Sequence, residues 1–445
     1  MKFINQIFSK FKSTQNRTKI FNNVFWAVLG KSLNVLSGLF VGVIVARYLG
    51  PKEYGLMNYV ISYVSLFSVI SNFGLDNIEI RELAKNQENR NAIIGSSLSL
   101  RLMLSLLTVI IIAFTLLAFE SDSRTVILVI IYSLSLIFTS FNVVRNYFTS
   151  IVLNEYVVKT EIVRTLLSAL LKISLLLLEA ELIYFVIILS VDFIFLASGY
   201  VYSYRKKIDQ IKAWYFDYDI AKELLKYSYP LFFSGSAIIV YQKVDQILIK
   251  NLIDDSSLGY YAVAARLTEF TMFFSLIISQ TIGPVLIRLK EENEVEYEKK
   301  RSIFMALVFW SSFGVAIIMI VFAELFVLTL YGDEYFEAIS VLRIIAIKIV
   351  MMGLFNCTTQ IIIIENLQKY AVFRNLIGLM LSLVLNFLLI PKLGITGAAI
   401  ATVLANLFSS YLSHSFIKQF RFLFKLQNKA IFEGLPLLLK IKKND

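Results

Sequence analysis

The chain has 445 residues, 58% of them hydrophobic and 17% charged, with a mean hydropathy of +0.71 and a net charge of +11. A soluble domain usually carries roughly 25% charged residues, so a soluble globular protein is excluded and the excess of cations points to anionic lipid rather than to nucleic acid. One cysteine, Cys357, excludes a disulfide framework, one histidine, His414, excludes a histidine-rich metal cluster, and no cofactor is expected.

A helix needs about 20 apolar residues to cross a hydrocarbon core roughly 30 Å thick. The sequence predicts an all-α integral membrane protein with about twelve such helices, near 21–46, 54–75, 94–118, 125–149, 160–178, 182–204, 228–250, 258–284, 302–323, 338–363, 370–390 and 395–418. Ahead of them, 1–20 is a basic segment without the compact apolar region of a cleavable signal peptide.

Span one carries Lys31 near its middle, on a face shared with Ala27, Asn34, Gly38 and Gly42. Small residues at that spacing let another helix approach closely, so Lys31 either bonds to a neighbouring helix or faces a cavity with Asn34. Arg101 in span three and Lys172 in span five have aliphatic stems long enough to snorkel to an interface. Span six holds Asp192. The connection 205–227 places Trp214, Tyr215 and Phe216 among charges and reads as an interfacial linker between two halves, 21–204 and 228–418. Its Asp217 and Asp219 have the spacing of a divalent-ion pair in a sugar transferase but, isolated in a basic linker, read as solvated.

Lys243 and Asp245 in span seven stand two positions apart, about 200° around a helix. They are expected not to face one cavity, with Lys243 the substrate-facing candidate. Arg266 and Glu269 in span eight have pairing distance along a helix, which leaves an internal ion pair and a binding role both open. Arg343 and Lys348 in span ten share a face poorly. The tail 419–445 mixes Phe420, Phe422, Leu423, Phe424 and Leu426 with basic residues and reads as a second interfacial segment.

The connections alternate in charge, with thirty-one Lys and Arg on one side and five on the other (Arg47, Lys52, Arg124, Lys250 and Lys392). The positive-inside rule then puts both ends in the cytoplasm. The outer loops are a few residues long, too short for an external catalytic domain. The halves also repeat: Glu155, Lys159 and Arg164 recur as Glu365, Lys369 and Arg374 at an offset of 210, and Gly55 recurs as Gly259 at an offset of 204. Two six-helix halves in one orientation imply a parallel repeat, as in transporters with a site between the halves.

An ionisable side chain near the bilayer centre costs at least about 2.5 kcal/mol and usually faces protein or water. Seven candidates here are basic (Lys31, Arg101, Lys172, Lys243, Arg266, Arg343 and Lys348) and three acidic (Asp192, Asp245 and Glu269). A basic excess suits an anionic substrate such as a phosphate or pyrophosphate headgroup, with the three acids as candidates for ion coupling. The nucleotide-binding pattern G-x-x-x-x-G-K-[ST], the nucleophile pattern G-x-S-x-G and zinc spacings do not occur, and no catalytic residue is assigned.

The stretch LFVGVIVARYLGPKEYGLMNYV at 39–60 resembles the end of the first helix and the following loop of polysaccharide flippases of the Wzx type, in the multidrug/oligosaccharidyl-lipid/polysaccharide exporter superfamily. YQKVDQILIKNLIDDSSLGYYAVAARL, YGDEYFEA at 331–338 and LLIPKLGITGAAIATVLAN at 388–406 are similar to later patterns of that family, so the resemblance covers about 20–420. It implies two pseudo-symmetric six-helix lobes in the V-shaped arrangement of multidrug exporters, and carriage of a polyprenyl-pyrophosphate-linked oligosaccharide to the outer leaflet of a bacterial cytoplasmic membrane. Polysaccharide polymerase and chain-length machinery are the implied partners, for O-antigen, capsule or exopolysaccharide synthesis. The motif residues Gly50, Tyr54, Gly55 and Gly259 are expected to be structural turns. The rivals are an ion-coupled multidrug or small-solute antiporter of the same fold, a membrane transferase or polymerase, and a scaffold without transport. An acidic cavity would favour the first, and a catalytic loop outside the membrane the second.

Overall fold

Helix follows helix along the chain because its apolar runs contain few breakers; some turns fall at glycines such as Gly50, Gly74 and Gly332, others at Val152, Glu179 and Asn366, which also take positive φ. The computed structural model describes residues 15–436 and 438, with the side chains of 15–29, 31–36, 234, 273, 274, 276 and 280 outside the described set. In order the helices are α1 (Gln15–Asn72), α2 (Leu75–Lys85), α3 (Arg90–Phe119), α4 (Ser123–Ser133), α5 (Ser135–Thr139), α6 (Asn142–Ser150), α7 (Asn154–Leu177), α8 (Leu182–Lys207), α9 (Tyr218–Leu252), α10 (Asp255–Glu292), α11 (Glu294–Val321), α12 (Ala323–Tyr331), α13 (Ala338–Ile345), α14 (Ile347–Ile364), α15 (Gln368–Leu407), α16 (Ser413–Phe416) and α17 (Arg421–Phe432). No strand occurs among the described residues.

Eight helical stretches among them are long and apolar enough to cross a membrane. Two of these, Ser37–Lys85 and Gln368–Phe416, are 49 residues long, over twice what one crossing needs. Within them, α1 and α15 each carry one break. Gly50 (φ 69°, ψ 172°) ends the first arm of α1, and Pro51 opens the second with its ring at a position that lacks a helical acceptor anyway. Gly394 (φ 61°, ψ −142°) does the same in α15. α7 and α9, of 24 and 35 residues, are also long enough but carry charged residues within their apolar runs, among them Lys172 in α7 and Lys243 and Asp245 in α9. With both arms of each broken helix counted, the described residues hold twelve helical stretches long enough to cross, the number expected from the sequence. On α3, Met103, Leu106, Leu107, Ile110, Phe114 and Leu117 are exposed at helical spacing, a face suited to lipid. The chain is a multi-pass membrane protein.

It divides into two compact units, Met1–Gly42 with Phe67–Phe233, and Val43–Leu66 with Ser234–Asp445. The first has an apolar core of Leu83, Ile94, Val143, Val144, Phe148 and Tyr204 among others. The sequence-predicted linker is docked on it: Trp214 meets Tyr204 edge-on at 5.0 Å, and the Asp217 N–H donates to Ser96 Oγ at 2.8 Å. Gly95 lets this segment lie close against α3, since a Cβ there would sit 2.2 Å from the Tyr215 carbonyl oxygen.

In the second unit three of the motif stretches meet. A Cβ on Gly55 would lie 1.8 Å from the Asp255 carbonyl oxygen, and one on Gly259 would lie 2.0 Å from that of Pro51. The two repeat-related glycines therefore let their backbones touch. Tyr335 donates to the Ala46 carbonyl at 2.7 Å and packs edge-on against Tyr54 and Tyr260. The tail is also built in: Leu423, Leu426, Gln427 and Ala430 of α17 are buried, and Trp310 Nε1 of α11 donates to the Ala430 carbonyl at 3.1 Å.

Candidate functional site

α9 enters the second unit with a polar run, Tyr241, Gln242, Lys243 and Asp245, in an otherwise apolar helix. These four, with Glu269 and Met272 of α10, Lys348 and Met352 of α14, and Thr402 and Asn406 of α15, line a cavity of about 190 Å³. Four of the sequence-predicted site residues, Lys243, Asp245, Glu269 and Lys348, thus meet at one place. The expectation that Lys243 and Asp245 could not share a cavity is corrected. The lining positions on α9 spread over about 200° of helix, so the cavity wraps the helix instead of meeting it along one face.

The charges in this wall are not equivalent. Asp245, 4% exposed, accepts from the Tyr261 hydroxyl, from Thr402 Oγ1 at 3.2 Å and from the Gln246 N–H at 2.8 Å. Its charge is stabilised by hydroxyls without being neutralised. Glu269 lies 3.9 Å from Arg266 within α10, both about half exposed, which realises the helix-internal pair as a weak one. Lys243 and Lys348 differ from both. Among the described residues neither has a carboxylate within 4.0 Å. They are cations facing a cavity with their charge uncommitted.

The other predicted residues lie elsewhere. Arg101 does not snorkel: it is 2% exposed and its guanidinium reaches Glu79 at 2.6 Å, Asp76 at 2.7 Å and Asn72 at 3.3 Å. Asn146 ties both carboxylates together, donating to Asp76 at 2.9 Å and to Glu79 at 2.6 Å. This cluster sits in the first unit and spends its cation on protein acids. Lys172 likewise turns inward, 3.4 Å from Asp192, with Ser168 donating to the same carboxylate oxygen at 2.8 Å. Arg343 stands 3.6 Å from Glu324 of α12, both half exposed. The side chains of Lys31 and Asn34 lie outside the described residues.

The basic excess inferred from the sequence is therefore smaller than seven to three. Asp76 and Glu79 fall past the sequence-predicted end of span two, Glu79 fully buried and Asp76 about a third exposed. One cation was missed in the opposite sense. Arg374, read as a loop residue, is buried within α15 beside Thr358 and Thr359. Its position seven residues into an apolar helix was the available signal.

A family profile described as polysaccharide biosynthesis protein matches residues 20–269 of this chain. Among curated proteins, a probable low-salt glycan biosynthesis flippase, Agl15 of Haloferax volcanii, is 29% identical over 205 residues, 45% of this chain and 43% of that protein. The chain thus matches less than half the length of that relative. Two solved structures share the fold at 16% identity. The lipid II flippase MurJ, inward closed, superposes with a TM-score of 0.71 over 94% of this chain and 93% of its own. An inward-facing multidrug resistance MATE transporter of the MOP superfamily gives 0.65 over 91% and 95%. With more than half of its length matched by the profile, the chain belongs to the polysaccharide biosynthesis protein family.

Proposed function

We propose that this protein is a flippase that carries a polyprenyl-pyrophosphate-linked oligosaccharide from the cytoplasmic to the outer leaflet by alternating access, for surface polysaccharide synthesis. The observation that carries this reading is the pair Lys243 and Lys348, uncommitted cations on the wall of one cavity. A cation within an apolar helix and without a counter-charge is expensive to keep, and a diphosphate would supply the missing charge. Lysine, as a compact point charge, suits a phosphate that must arrive and leave. The family membership and the glycan-flippase relative point the same way. In this reading 21–204 and 228–418 are the two lobes, the ends lie in the cytoplasm, and Lys31, Asn34, Arg266 and Arg343 remain candidates along the sugar path.

Asp245 and Glu269 share the same wall and support a second reading, ion-coupled antiport of a small solute, in which a carboxylate exchanges a cation for substrate. The sidedness of lipid-linked oligosaccharide after depletion of this protein separates the two. Accumulated glycolipid protected from a membrane-impermeant glycosidase supports the flippase. Glycolipid still accessible from outside moves the assignment to the antiporter.

A further inference from the structure

Arg374 is 1% exposed. Its Nη1 donates to Thr358 Oγ1 at 3.2 Å and its Nη2 to Thr359 Oγ1 at 3.0 Å, while the guanidinium carbon lies 3.9 Å from the centre of the Phe355 ring. Two hydroxyls and a ring hold the group in place without neutralising it. Among the described residues no carboxylate lies within 4.0 Å of it, and its Nε has no hydrogen-bond partner. Arg101, equally buried, has two carboxylates. A charge as enclosed as Arg374 with no counter-ion is costly, and the contacts around it orient a donor edge instead of filling it.

A second buried group nearby has the same character. His414 holds Nδ1 against Gln427 Oε1 at 2.9 Å, is fully buried, and leaves Nε2 unpartnered. Gln427 also donates from Nε2 to the Ser410 carbonyl at 2.8 Å, next to Ser409, whose Cβ would lie 2.9 Å from a Cβ on Gly378. Tyr241 connects this pair to the cavity. It lines the cavity wall, its hydroxyl lies beside Ser409, and its ring is 3.7 Å from where a Cβ on Gly378 would stand, one turn past Arg374.

We propose that Arg374 is an anion-binding residue, a second station behind the part of the cavity wall formed by Tyr241, for a phosphate or pyrophosphate group. The planar guanidinium presents N–H groups that match phosphate oxygens, and Nε with the unused Nη protons is the edge left to do so. The inference deepens the proposed function, because the lipid carrier of the anion rests on that reading, but binding of the anion itself does not.

The test uses the purified full chain in detergent with three probes: inorganic pyrophosphate, farnesyl pyrophosphate and the uncharged alcohol farnesol. Affinities are measured in the Lys243→Gln/Lys348→Gln background, so that the cavity lysines do not mask the second station. The expected result is residual binding of the pyrophosphates that falls at least ~10-fold when Arg374→Gln is added, the size of a lost charge-assisted contact, with farnesol affinity unchanged. Loss confined to farnesyl pyrophosphate supports the site and assigns it to a lipid headgroup. Loss confined to inorganic pyrophosphate supports the site and counts against the flippase reading. No residual anion binding in the lysine background, unchanged affinity on adding Arg374→Gln, or an equal fall for farnesol overturns the proposal. Should Arg374→Gln fail to fold, Arg374→Lys keeps the charge without the fork and is read the same way.

Discussion

Two sets of cations inside the apolar helices, one in each unit, are treated in opposite ways, although the second unit also holds a paired cation, Arg301 with Glu365 and Glu298. In the first, Arg101 is enclosed by Asp76, Glu79, Asn72 and Asn146, and Lys172 by Asp192 and Ser168. In the second, Arg374 is held by two threonine hydroxyls and the Phe355 ring, and Lys243 and Lys348 share a cavity wall with Asp245 and Glu269, yet among the described residues none of the three has a carboxylate within 4.0 Å. The halves share a repeat, so the contrast does not follow from helix positions. It follows from which positions received carboxylates. A cation with internal partners holds helices together, and in the proposed function one without them receives the anion of the substrate. The comparison separates structural from functional charge without reference to depth in the membrane.

That comparison breaks most visibly if Glu79→Ala is tolerated. Removing this carboxylate leaves Arg101 buried with one, half-exposed partner, and breaking a buried pair typically costs about 3–5 kcal/mol. The expected outcome is a large fall in folded yield and in the melting temperature in detergent. Gly55→Ala sharpens the contrast from within the second unit, because its Cβ would overlap the Asp255 carbonyl oxygen. Overpacking of that kind costs about 1–3 kcal/mol, so stability should drop although no charge is touched. Lys243→Gln/Lys348→Gln should do the reverse, leaving the melting temperature within a few degrees of wild type while anion affinity falls ~10-fold or more. A melting temperature lost in parallel with affinity would make these lysines structural and erase the distinction.

The smallest effect belongs to the loop after α8. Asp209, held below the usual carboxylate range by the Gln210 backbone N–H and by Arg90 at 2.8 Å, staples that loop to α3. Its folded pKa is depressed, so its contribution is present above the ordinary carboxylate value and is lost as pH falls through the folded one. Asp209→Asn should remove that acid sensitivity and little else, seen as protease cleavage near 205–213 that no longer rises as pH is lowered.

The helices were legible in the sequence because crossing a bilayer is a local demand, met or failed within some 20 residues. Gly55 and Gly259, singled out by their offset alone, let their backbones touch. Charge pairing was not legible, because it is decided by residues far apart in the chain. Arg101 finds Glu79 on α2, a segment whose charges read as a loop but whose Leu75, Ile78 and Leu83 are buried. Lys243 and Asp245 fail the one-face argument because a cavity bounded by four helices is not a plane. Arg374 was counted with the loop cations because hydropathy falls at Lys369, although the helix begins at Gln368. The sequence named four residues of the cavity wall, and only their surroundings show which two are uncommitted.

The central claim is that Lys243 and Lys348 receive the anionic headgroup of a lipid-linked sugar. The most direct measurement replaces the cell's copy with Lys243→Gln/Lys348→Gln, confirmed to be folded and present in the membrane, and follows the sidedness of the glycolipid. The account predicts glycolipid that accumulates in the inner leaflet, shielded from an impermeant glycosidase. Glycolipid that reaches the outer surface at the wild-type rate would contradict it.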